Sequence, residues 1–119
     1  MDNPTEEVNV HTASIVLNIA EDKAAEFEAG FREFELPTHR DLYERGLLVM
    51  SLLAPADDIS THRVKGARQY LVVAVFKSHE GHTAHDDDPR FKAWNEKADA
   101  YQVEGPFVFG GNSIVNVGP

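Results

Sequence analysis

Apolar residues recur along the chain in blocks whose spacing changes from one block to the next, and that spacing predicts the elements. Residues 8–19 carry Val8, Val10, Ile15, Val16, Leu17 and Ile19 with Thr12 and Ser14 between them, a β-favouring stretch that ends at the charged pair Glu21 and Asp22. This is a first strand. From Asp22 the period lengthens: Ala24, Phe27, Phe31 and Phe34 fall at i, i+3, i+7 and i+10, with Glu26, Glu28, Arg32, Glu33 and Glu35 on the remaining face. That pattern predicts an amphipathic helix with a phenylalanine stripe toward the core. Pro37 ends or kinks it near Leu36, and Thr38 is placed to cap a second piece over residues 39–45 that stops at Gly46.

Residues 47–53 and 70–76 are apolar at nearly every position and too short for good helices, so they read as the second and third strands. The polar stretch between them, with Pro55, Asp57, Asp58, Ser60, Lys65 and Gly66, is a surface loop. Ser78 can cap a short segment over residues 79–86. Asp88 followed by Pro89 supplies an N-cap and a first-turn proline for a second helix, whose stripe is Phe91, Trp94, Ala98 and Tyr101. Gly105 and Pro106 stop it before a last strand over residues 107–117, in which Gly110 and Gly111 mark a bulge or kink. The order β-α-β-β-α-β is the ferredoxin-like arrangement of the α+β class, a four-stranded antiparallel sheet with two helices on one face. Strands two and three are apolar on both faces, whereas the helices cover only one. The expected second cover is another copy of the chain, a homodimer packed through its sheet faces.

A length of 119 residues gives one domain over residues 8–119 behind a polar N-terminal tail over residues 1–7. Twenty acidic against eleven basic residues leave a net charge of −9, which repels phosphate backbones and anionic lipid, so neither nucleic acid nor membrane is an expected partner. With no cysteine, disulfides, thiolate zinc sites, iron–sulfur clusters and cysteine nucleophiles are excluded. The start lacks a signal-peptide pattern and no apolar run approaches a membrane span, which makes a cytoplasmic protein the expectation. No Gly-x-Gly-x-x-Gly, Walker or Gly-x-Ser-x-Gly motif is present, so nucleotide binding and serine hydrolysis find no support.

The densest chemistry lies at His79, His82 and His85, followed by Asp86, Asp87 and Asp88. On a helix, His79 and His82 differ by about 300° and His82 and Asp86 by about 400°, so neighbours can face one way, while His79 and His85 diverge by about 240°. A site using His82, Asp86 and one further ligand is geometrically open, but the spacing matches no zinc or non-heme-iron signature. The expectation is therefore no metal and no cofactor, the cluster being a solvated turn. One neutral imidazole beside a pocket suffices for general acid or base work. Asn18, polar within an apolar strand, and Tyr70 offer hydrogen bonds to a substrate; Phe91 and Trp94 share a helix face and serve as core or as a pocket wall.

Residues 73–94, Val-Ala-Val-Phe-Lys-Ser-His-Glu-Gly-His-Thr-Ala-His-Asp-Asp-Asp-Pro-Arg-Phe-Lys-Ala-Trp, resemble the dimeric α/β-barrel superfamily and within it the antibiotic-biosynthesis-monooxygenase-like group. There a strand ending in an aromatic is followed by a helix with a histidine, a proline-containing break and a Phe-led helix. With the strand order, the resemblance extends over roughly residues 12–117. It implies a homodimer, and it implies a pocket histidine six residues before the helix-leading Phe91, which is His85. His82-Thr-Ala-His85 also resembles the His-x-x-His pair of cyclase-like members, whereas aligning on Phe91 itself moves the acid/base position to Asp88. At the positions where heme-degrading members carry a tryptophan and an axial histidine stand His85 and Asn95, so that pattern is not matched. The implied activity is an oxidoreductase, a cofactor-free monooxygenase acting on an apolar or aromatic small molecule, with His85 and His82 as catalytic residues. A polyketide cyclase or isomerase using the same proton transfer, and a non-catalytic ligand-binding or assembly dimer, are the alternatives.

Overall fold

The computed structural model describes residues 9–118; the predicted polar tail over residues 1–7, with residues 8 and 119, lies outside the described residues. Strand β1 (His11–Ala20) leads through a short 3-10 turn into helix α1 (Ala24–Gly30), a π-helical segment (Phe31–Glu35) and helix α2 (Leu36–Glu44). Strands β2 (Leu48–Pro55) and β3 (Ala67–Phe76) follow, then helices α3 (His79–Asp87) and α4 (Pro89–Asp99) and strand β4 (Gln102–Asn112). The sheet runs β2-β3-β1-β4, antiparallel throughout. This is the expected ferredoxin-like α+β fold. Among the described residues no helix is long and apolar enough to cross a membrane.

Alternation along β3 decides which face carries the helices. Tyr70, Val72, Ala74 and Phe76 point one way and are buried, the first two with Phe27, Phe31, Trp94 and Ala98, the last two with Leu42 and Leu48. All the helices therefore lie on that face. Leu71, Val73 and Val75 point the other way, paired with Val16, Leu52 and Met50. Gly46, with φ 77°, ends α2 as its place in the sequence predicts. The bonds Gly46 N–H to Tyr43 O and Leu47 N–H to Leu42 O close a Schellman cap. Asp88 caps α4 as expected, its carboxylate accepting from the Arg90 backbone N–H at 2.8 Å. Ser78 stands at the head of α3 but its side chain makes no capping bond.

Three expectations are corrected. Phe34 does not join the inward stripe: it is 38% exposed, while Glu35, assigned by periodicity to the solvated face, is 8% exposed. The cause is the π-helical segment. Pro37 has no N–H to give the carbonyl four residues back, and the Leu36 N–H reaches back five residues to Phe31 O. The wider turn advances less per residue than an α-helix, so Phe34 rotates outward and Glu35 takes its place. For the same reason Thr38 is not a cap but a buried helical residue. Finally, β4 begins before Gly105 and Pro106. Val16 pairs with Phe107 and Asn18 with Glu104, so β4 carries an extra residue there. This bulge accommodates a proline in the strand, whereas register is regular at Gly110 and Gly111.

Trp94 is the pivot of the core. It stacks between Phe27 (centroids 6.0 Å) and Phe34 (5.7 Å) and lies against Gly30. A Cβ on Gly30 would stand 2.4 Å from the indole ring. Gly30→Ala is therefore expected to lower stability by about 1–3 kcal/mol through overpacking, read as a lower denaturant midpoint with an unchanged slope. An unchanged midpoint would show that Trp94 can move away freely.

Candidate active site

Between the sheet and α4 lies a cavity of about 490 Å³, within the range of small-molecule sites. Its walls are mostly apolar, with Ile15, Leu17, Val72, Phe76, Phe91 and Trp94 among them, and its polar lining includes Glu35, His39, His82, His85 and Asp86.

These polar groups form one connected network. The i,i+4 spacing of Glu35 and His39 puts both on the inward face once the π turn has rotated the helix. Glu35 Oε1 accepts from Trp94 Nε1 at 2.9 Å, and Glu35 Oε2 lies 3.2 Å from His39 Nε2. His39 Nε2 is also 3.1 Å from His85 Nε2, while His39 Nδ1 meets Ser51 Oγ at 2.9 Å. Ser51 reaches the helical face because β2 holds an extra residue between Leu48 and Met50. His85 Nδ1 sits 2.9 Å from Asp86 Oδ1, and its ring packs on Phe91 with centroids 4.1 Å apart.

The protons in this network can be assigned without conflict. The Ser51 hydroxyl donates to His39 Nδ1, and His39 Nε2–H is shared between Glu35 Oε2 and His85 Nε2. His85 Nδ1–H donates to Asp86, which leaves the lone pair of His85 on Nε2. Burial pushes the His85 imidazole below its ordinary value, an effect that the Asp86 hydrogen bond opposes only in part. The ring is thus held neutral and able to accept a proton at neutral pH.

Asp86 joins this buried set to a second group of histidines. Its other oxygen, Oδ2, lies 3.2 Å from His82 Nε2. His82 Nδ1 is in turn 2.8 Å from His11 Nε2, and His11 Nδ1 is 2.9 Å from Asn112 Oδ1. His79 completes this outer group, its ring 5.0 Å from that of His11.

Of the residues expected from sequence, His82, His85, Phe91 and Trp94 come together around the cavity. Asn18 and Tyr70 do not line it. Asn18 points to the opposite face of the sheet, where its Oδ1 accepts from Gln69 Nε2 and its Nδ2 donates to Gly105 O. Tyr70 is core, its hydroxyl donating to Glu28 and pushed up to about 12 by burial and that carboxylate. Asp88 is taken up by its cap and by Arg90, whose guanidinium bonds both carboxylate oxygens and holds the group down to about 2. It is a poor proton acceptor. Sequence reasoning missed Glu35, His39, Ser51 and His11. The Glu-x-x-x-His spacing at 35 and 39 was the available signal, masked by the apparent phenylalanine stripe.

The comparisons with known proteins agree with this geometry at the level of fold. A candidate antibiotic biosynthesis monooxygenase of Nitrosomonas europaea is similar over 92% of this chain and 94% of its own, with a TM-score of 0.71 and 11% identity. Another from Caulobacter crescentus CB15 matches at TM-score 0.71 and 19% identity, over 90% and 92% of the two chains. A conserved protein of Methanosarcina mazei Go1 matches at 0.69 and 10%, over 87% and 92%. No curated protein matches by sequence. The family profile described as antibiotic biosynthesis monooxygenase matches residues 11–97, well over half of the sequence, and the chain belongs to that family.

Proposed function

We propose that the protein is a cofactor-independent monooxygenase that deprotonates an apolar, ring-containing small molecule with His85. The observation that supports this is a neutral, buried imidazole at an apolar cavity of about 490 Å³, backed by a carboxylate on its far nitrogen. A substrate proton arriving at His85 Nε2 displaces the shared His39 N–H, which retains Glu35 Oε2 as its acceptor. The resulting imidazolium keeps its Nδ1–H on Asp86, whose charge stabilises it. The carbanion so formed passes an electron to dioxygen. For an activated methylene the balance is one O₂ consumed, one oxygen atom kept as a carbonyl and the other released as water, with the substrate supplying all the electrons. The apolar walls keep water from the reactive intermediate.

The reading includes a homodimer. On the outer face Met50, Leu52 and Phe109 are 39%, 41% and 64% exposed; Phe109 also lines, with Val16, Leu71 and Phe107, a groove of about 420 Å³ there. Monomers seldom leave contiguous apolar residues of this kind uncovered, and a second copy of the chain is the cover proposed. Sedimentation equilibrium at micromolar concentration is expected to give twice the chain mass, and a single-chain mass would contradict it.

Activity is read as oxygen uptake with a panel of polycyclic phenols and ketones. His85→Ala should lower turnover of any active member by roughly 10²- to 10⁴-fold while leaving the melting curve nearly unchanged. Product formed without oxygen uptake would instead mark a cyclase or isomerase. Only the neutral ring accepts a proton, and burial places its titration below the ordinary value near 6.5. The rate is therefore expected to fall on acidification through the range below 6.5 and to level off toward neutral pH. A rate still climbing between pH 7 and 8 would place the base elsewhere.

A further inference from the structure

We propose that His11, His79 and His82 form a binding site for a divalent transition-metal ion of the zinc class, apart from the proton-transfer site at His85. The inference goes beyond the activity reading and stands without it. One candidate ligand nitrogen from each of the three residues lies within 4.8 Å of the other two. His79 and His82 come from one turn of α3, and His11 reaches them from the start of β1, 71 residues from His82 in sequence. The helical spacing of the first two supplies a pair, and the strand supplies the third ligand.

The second nitrogen of each ring is already engaged, as ligating histidines require. His11 Nδ1 is 2.9 Å from Asn112 Oδ1, His82 Nε2 is 3.2 Å from Asp86 Oδ2, and His79 Nδ1 is 3.4 Å from Thr83 Oγ1. The Asp86 carboxylate cannot donate, so His82 turns its Nε2–H outward to it and its Nδ1 lone pair faces inward, 2.8 Å from His11 Nε2. The Asn112 amide can present either its oxygen or its nitrogen to His11 Nδ1, and with the oxygen there the His11 lone pair faces inward as well, so that a cation, a proton or a metal ion, sits between the two rings. The buried set of Glu35, His39 and His85 has the same number of possible ligands, but it is closed by its own hydrogen bonds and lies away from solvent. Three neutral imidazoles suit zinc and its neighbours, and the exposure of His79 leaves a fourth position open to water. Bound there, the ion would pin α3 to the start of β1.

The test uses the full chain, stripped with chelator and titrated with Zn²⁺ by calorimetry, with Co²⁺ absorption as a second readout. One ion per chain is expected. His79→Ala, at an exposed position that leaves folding intact, should weaken binding by about 10²-fold or more, and Asp86→Asn by about 10-fold. His62→Ala and Glu35→Gln should leave it unchanged. No stoichiometric binding, or binding indifferent to His79→Ala, would overturn the proposal. So would binding lost on Glu35→Gln, which would assign the ion to the buried set.

Discussion

A carboxyl group taken out of water must find donors for its oxygens, and the interior of this domain is arranged around that requirement at Glu35. Its two oxygens are met by the indole of Trp94 and the imidazole of His39. Each partner imposes a further condition. Trp94 can reach Glu35 only because Gly30 leaves room for the ring between Phe27 and Phe34. His39 can reach it only because the π turn ahead of Pro37 brings residues 35 and 39 to the inward face. The local backbone irregularity and the polar centre of the cavity thus have one cause.

From Glu35 the hydrogen bonds run outward through His39, His85 and Asp86 to His82, whose other ring nitrogen faces His11. Asp86 is the joint. One of its oxygens fixes the tautomer of a buried ring, and the other fixes that of a partly exposed one. The buried set and the partly exposed one therefore meet at a single carboxylate. The fold itself does not dictate such chemistry, since ferredoxin-like domains carry many activities. In this chain five of the six histidines are gathered along one side of the helical layer.

Much of this was legible in the sequence. The strand and helix order, the Gly46 stop, the Asp88 cap and the two-sided apolarity of β2 and β3 all follow from local patterns, because each is decided by residues close together in the chain. The convergence of His82, His85, Phe91 and Trp94 was also readable, since α3 and α4 are adjacent. The rest depended on tertiary geometry. Glu35 seemed solvated because strict α-helical periodicity puts it outside, and only the π turn reverses that. His11 and Ser51 reach their partners through strand pairing and a bulge, which no single-segment pattern reveals. Asn18 faced the wrong way for the cavity because strand alternation fixes its side of the sheet, opposite Tyr70 and Leu17.

The central claim is that His85 is a neutral base whose proton sits on Nδ1 and whose lone pair lies on Nε2 within the buried network. Imidazole nitrogen-15 chemical shifts of the intact protein, followed by NMR across pH, report both the tautomer and the titration of each ring. The account predicts an Nδ1–H tautomer for His85 at neutral pH and a midpoint below about 6.5. A proton on Nε2, or a midpoint at or above 6.5, would contradict it.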